Sequence, residues 1–133
     1  MLKVRLAAFT DTVTGDIKPR NIVRFGEAIK LIDLDASVRL CAGAKLGIKF
    51  STGYVAPEML RVDDSGAVEV VTVPVDDEGR FRQFTAAGER VLVPATSVDI
   101  WSLGVVLYQL LAGEFIATQH LFPPHAALAL NEL

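Results

Sequence analysis

The stretch Ser97–Gly113, SVDIWSLGVVLYQLLAG, decides how the rest of the chain is read. Ser97 can cap a helix, Asp99 suits its positive first turn, and Gly113 suits the left-handed residue that ends one. Between them stand Ile100, Trp101, Leu103, Val105, Val106, Leu107, Tyr108, Leu110 and Leu111. On a helix these residues go most of the way round instead of keeping to one stripe, so the segment is expected to be covered on nearly all faces. A carboxylate at the start of so apolar a rod must be satisfied by hydrogen-bond donors, which makes Asp99 a candidate structural anchor.

The whole composition agrees with extensive burial. The chain has 133 residues, 51% of them hydrophobic, with a mean hydropathy of +0.39. That is the length of one domain and too apolar for a disordered chain. A net charge of −3, with Lys and Arg scattered, gives no footprint for nucleic acid or an anionic membrane. The chain opens MLKVRLAAFTD, without the apolar stretch of a signal peptide, and its most apolar run, 100–113, is short of the roughly 20 residues that span a bilayer. Cys41 is the one cysteine and reads as a small buried side chain in a reducing compartment. A soluble, cytoplasmic protein is the expectation.

Upstream of the helix, residues 61–95 differ from their surroundings. AVEVVTVPV (67–75) is β-branched, Asp76-Asp77-Glu78-Gly79 is a turn, and RFRQF (80–84) alternates with period two. The pattern predicts a hairpin-like insertion over 61–95, limited to an edge by Pro74. The acidic turn lacks the spaced oxygen ligands of a calcium loop and reads as a solvated turn. YVAPEML (54–60) predicts a bend and a helical turn begun by Pro57. Residues 34–51 are irregular, with Gly43 and Gly47. NIVRF (21–25) and KLID (30–33) predict a small hairpin about Gly26-Glu27-Ala28. Residues 2–9 read as a short helix, and His120 and His125 in the tail as packing or surface residues.

One more segment, TGDIKPRN (14–21), combines an acid, a base, a proline and a carboxamide. With LIDLD (31–35), STGYVAPE (51–58) and SVDIWSLGVVLYQLL (97–111), it resembles the large-lobe core of a eukaryotic-type Ser/Thr protein kinase. The four segments come in the family's order over about residues 8–113. The resemblance implies an α+β, protein-kinase-like fold: an incomplete, mainly α-helical C-lobe with short β-hairpins, spanning 1–133 and lacking the N-lobe. It implies transfer of the ATP γ-phosphoryl group to a protein hydroxyl, with ATP and Mg²⁺ as cofactors. Asp16 would be the base, a role typically worth 10²- to 10⁴-fold in rate. Lys18 would sit near the transferred group, and Asn21 and Asp33 would hold magnesium with hard oxygen donors. Ser51 would face the substrate, and Asp99 would accept from the backbone of the loop carrying Asp16. Glu58 would stand where the family pairs an acid with an Arg near the end of the lobe, a partner expected to be missing here.

The chain departs from the family pattern in ways that carry consequences. Thr14 replaces the usual His, and Gly15 the usual Arg, removing the cation that would pair with a phosphorylated loop. Leu34-Asp35 replaces Phe-Gly, so the freedom of glycine is lost at 35. No G-x-G-x-x-G stretch occurs, and fifteen residues precede Asp16. The expectation is therefore a fragment inactive alone, or a pseudokinase-like interaction scaffold. Uncovered apolar residues of the 97–113 helix, each costing about 1.5–3 kcal/mol, would favour association.

Overall fold

The computed structural model describes residues 11–84 and 90–113. Most of its regular structure is extended: β1 Thr12–Val13, β2 Ile22–Phe25, β3 Ala28–Leu31, β4 Val38–Arg39, β5 Lys45–Leu46, β6 Leu60–Val62, β7 Val68–Val70, β8 Val73–Pro74, β9 Arg80–Phe84 and β10 Arg90–Pro94. Two 3₁₀ turns, Pro19–Asn21 and Pro57–Met59, and one helix, α1 Ser97–Ala112, complete the described elements. The strands form antiparallel two-stranded pairs: β1 with β4, β2 with β3, β5 with β8, β6 with β7 and β9 with β10.

This overturns the expected fold class. A mainly α-helical lobe is not what the chain forms; small strand pairs dominate, with a single helix among the described residues. The physical reason lies in the segments before residue 95. They are short, rich in Val, Ile and Thr, and broken by glycines at positive φ, so no helical run can propagate. The small β2–β3 hairpin does form, with Ile22 opposite Leu31 and Phe25 opposite Ala28. Its second strand begins at Ala28, two residues before the expected start, because Gly26 (φ 62) with Glu27 suffices for the turn. The helical turn at Pro57–Met59 also forms, with Pro57 in its first position.

Residues 61–95 pair differently from a single hairpin. β7 returns on β6, β8 reaches back to β5 with Pro74 opposite Lys45, and RFRQF pairs with Arg90–Pro94. These strands also build the core. Val75, Phe81 and Ala95 pack with Val13, Leu46, Ala56, Met59 and Val98, and Trp101 lies against them. Phe81 is 1% exposed and, with Val13, is among the largest fully buried side chains, as the alternation in RFRQF requires. The Asp76–Gly79 turn is closed by the Asp76 carboxylate, which accepts from Glu78 N–H at 3.0 Å and Arg80 N–H at 2.8 Å.

Helix α1 starts and stops near its expected ends. Gly113 (φ 71) is the left-handed terminator and donates its N–H to Gln109 O at 2.9 Å. The cap residue is Thr96, however, and Ser97 gives its hydroxyl to Glu58 Oε1 at 2.7 Å. Coverage is also less than the sequence pattern predicts. Val98, Ser102, Val105 and Val106 are buried, while Ile100, Leu110 and Leu111 are 70%, 73% and 89% exposed. Strand pairs this small can blanket one stripe of a helix but not its whole circumference. Cys41 is exposed, against the buried reading, because it lies in the turn between β4 and β5. Among the described residues no helix is long and apolar enough to cross a membrane. The expected short helix over 2–9 and both tail histidines lie outside the described residues.

Candidate functional site

The loop between β1 and the first 3₁₀ turn is held from a distance by α1. Asp99 accepts from Thr14 N–H at 2.8 Å, from the Thr14 hydroxyl at 2.7 Å and from Gly15 N–H at 3.0 Å. Three donors converge on one carboxylate across more than eighty residues of sequence. Thr14, noted in the sequence only as a departure, thus supplies both backbone and side chain to the anchor. Gly15 is explained as well. Its φ of 74° is left-handed, and a Cβ there would meet Ala36 O at 2.8 Å. An arginine could not take this conformation without strain, and the close approach seats the loop on residues 36–37.

Beyond this anchor the loop presents its polar side chains together. Lys18 Nζ donates to Asp16 Oδ2 at 2.6 Å and to Ser51 Oγ at 2.6 Å, so one ammonium joins the expected base to the expected substrate-facing hydroxyl. Asn21, buried in its 3₁₀ turn, donates through Nδ2 to Asp16 O at 2.9 Å and to Asp16 Oδ2 at 3.3 Å. The second carboxylate oxygen, Asp16 Oδ1, is buried and has no hydrogen-bond partner. Such an atom typically costs about 1–3 kcal/mol, a cost tolerated where a reacting group is to be met.

A cleft of about 220 Å³ adjoins these groups. Asp16, Ser37 and Ser51 line it on the polar side, and Leu46, Met59 and Val98 on the apolar side. Ser37 Oγ is likewise buried without a partner. The floor is fixed by Ser102 of α1, whose hydroxyl lies 2.8 Å from both Tyr54 O and Val98 O. Tyr54 OH donates to Gln109 Oε1 at 3.0 Å, fastening the 51–56 segment along the same helix.

Asp33 stands apart from this group. Its backbone is brought near by Ile32 N–H, which donates to Asn21 O at 2.9 Å. Its side chain is exposed and outside the cleft lining, beside Asp35 and Lys49. Asp33 has φ 57, the one positive φ outside glycine among the described residues. Backbone held this way costs about 1–3 kcal/mol and is found preferentially at functional sites. Asp35, where a glycine was expected, is paired with Lys49. That bond, ahead of a weaker one involving Asp33, holds the Asp35 carboxyl below its ordinary range and raises Lys49. Among the described residues Glu58 meets no cation; it receives the Ser97 hydroxyl and so ties the 57–59 turn to the helix start.

Whether magnesium fits can be judged from the donors. With Nδ2 turned to Asp16, Asn21 keeps Oδ1 as its acceptor, and the Asp33 carboxylate is open to solvent. Both are hard oxygens, and Asp33 follows directly on the backbone tie to Asn21. Among the described residues no three Asp, Glu, His or Cys side chains form a cage. Two hard oxygens of this kind are ligands that Mg²⁺ accepts when it keeps most of its waters and shares the rest with phosphate.

The structure thus gathers Asp16, Lys18, Asn21 and Ser51, anchors them through Asp99, and leaves Asp33 adjacent. Sequence reasoning missed Ser37, Lys49 and Tyr54, which bear no chemical signature apart from their placement. Comparison of the chain with protein-family models, with curated proteins and with solved structures gave no match.

Proposed function

We propose that the chain carries a phosphoryl-transfer centre of the Ser/Thr protein kinase type, acting on a hydroxyl of a protein substrate with ATP as donor. The carrying observation is the Asp16–Lys18–Ser51 chain of hydrogen bonds, beside the unpartnered Asp16 Oδ1. Asp16 Oδ1 would accept the proton of the incoming hydroxyl, while Asn21 fixes the carboxylate by holding Oδ2 and the loop backbone. Lys18, already within 2.6 Å of Ser51 Oγ, would set positive charge where the transferred group gathers negative charge. Asn21 and Asp33 would hold the magnesium, which when bound neutralises the phosphate oxygens. Ser51 would keep Lys18 in place until the acceptor arrives.

The 133 residues include no G-x-G-x-x-G stretch, and this polar set by itself would hold nucleotide weakly. The test is a titration of the ¹⁵N-labelled chain with ATP and Mg²⁺. Amide shifts at 16–21, 33 and 51, needing both components, with a Kd in the millimolar range (about −4 kcal/mol), support the reading. Shifts identical with ATP alone, or none at all, overturn it.

A second reading is favoured by the outer face of α1. Ile100, Leu107, Leu110 and Leu111 are apolar and exposed, which fits an interaction scaffold that associates through this face. Sedimentation distinguishes the two. Association abolished by Leu110→Glu, in a chain whose amides ignore ATP and Mg²⁺, favours the scaffold.

A further inference from the structure

Residues 49–51 are fastened by two side-chain ties to the loops around Asp16. Lys18 Nζ reaches Ser51 Oγ, and two residues earlier Lys49 Nζ donates to the Asp35 carboxylate. Asp35 and Lys49 both line the cleft, Asp35 with the segment 35–38 and Lys49 with the segment 45–51. Their side chains are 58% and 55% exposed, so the pair stands at the solvent side of the cleft.

Among the described residues few other hydrogen bonds hold this strap. β5 ends at Leu46, and the next backbone turn closes at Ser51, whose carbonyl takes Tyr54 N–H at 3.1 Å. Ile48 and Phe50, the apolar residues between, are 67% and 41% exposed. Gly47 runs close to the backbone of residue 71, since a Cβ there would meet Val71 O at 2.5 Å.

We infer that Asp35 and Lys49 form a latch at the cleft that keeps the 49–51 strap seated and Ser51 on Lys18, making Asp35 a positioning residue for the site. Asp33 is the other charged group acting on Lys49. The latch rests on contacts alone, so its failure would leave the phosphoryl-transfer reading standing.

The test is the rate of lysine acetylation, read by mass spectrometry on the whole chain. Lys18, engaged by Asp16 and Ser51, should react slowly, and Lys30, exposed on β3, serves as reference. Asp35→Asn and Lys49→Gln should each raise the Lys18 rate about two- to five-fold, the scale of an exposed ion pair. The double variant should add nothing to either, because both remove one interaction. High salt should act similarly on the unmodified chain, by screening the pair without any substitution. An unchanged Lys18 rate in both variants and in salt, additive increments, or an equal rise at Lys30 would each overturn the latch.

Discussion

Replacing Asp99 by alanine removes the acceptor of two backbone N–H groups and one hydroxyl. The Thr14 hydroxyl can turn to water, but the N–H groups of Thr14 and Gly15 are partly buried. Leaving a buried donor unmade costs about 1–3 kcal/mol, so the pair should cost about 2–4 kcal/mol after allowance for partial exposure. Against a typical total of about 5–15 kcal/mol, that is a large share. Asp99→Asn keeps one carbonyl acceptor and should cost about half as much. Urea unfolding gives the stabilities, and hydrogen exchange gives the local effect, with the Thr14 and Gly15 amides losing protection more than those of β9. If Asp99→Asn changes the midpoint by less than about 0.5 kcal/mol and leaves both amides protected, the helix does not anchor the loop and the reasoning fails.

Other expectations follow from the same geometry. Gly15→Ala should lose about 1–3 kcal/mol in urea unfolding, since the left-handed φ and the Ala36 carbonyl both oppose a Cβ; a neutral result would mean that the loop does not sit on residue 36. Phe81→Ala should lose about 3–5 kcal/mol by the same assay, since the ring is fully buried in the core; a loss under 1 kcal/mol would place the core elsewhere. Arg80 N–H, with its guanidinium behind it, holds Asp76 below its ordinary value of 3.8, and the Ser65 hydroxyl with Ala67 N–H does the same for Asp63. Depressed carboxylates stabilise the fold above their unfolded pKa, and that contribution is lost as pH falls through the folded one. Stability should therefore drop below about pH 4, with a shallower acid limb in Asp76→Asn; an unaltered limb would contradict the turn geometry.

Legibility in the sequence was uneven, for physical reasons. The end of α1 could be read from Gly113 because a breaker is local chemistry, whereas the cap expected at Ser97 is Thr96. The Asp99 tie to the loop was anticipated from the cost of burying a carboxylate, together with the family resemblance. Beyond the β2–β3 hairpin, strand pairing was not legible. β5 with β8 and β1 with β4 are two-residue contacts between distant segments, and nothing in Lys45-Leu46 or Val73-Pro74 names its partner. The mainly helical expectation came from the resemblance, and the β-branched, glycine-broken segments before 95 did not support it. At the site, residue types announced Asp16, Lys18 and Asn21, but the exposure of Asp33 and its place beside Asp35 and Lys49 depend on backbone path. A lysine such as Lys49 looks like any solvated charge until its partner is known.

The central proposal is that Asn21, in its 3₁₀ turn, and Asp33, just after β3, would supply oxygen donors to one divalent ion next to Asp16. Adding Mn²⁺ to the ¹⁵N-labelled chain tests it directly, because the paramagnetic ion broadens the amides nearest to it. The account predicts that the signals of Asn21 and Asp33 broaden together and first, and that Asp33→Asn removes the effect at both. Broadening confined to the acidic turns at Asp63 and Asp76, with Asn21 and Asp33 untouched, would contradict it.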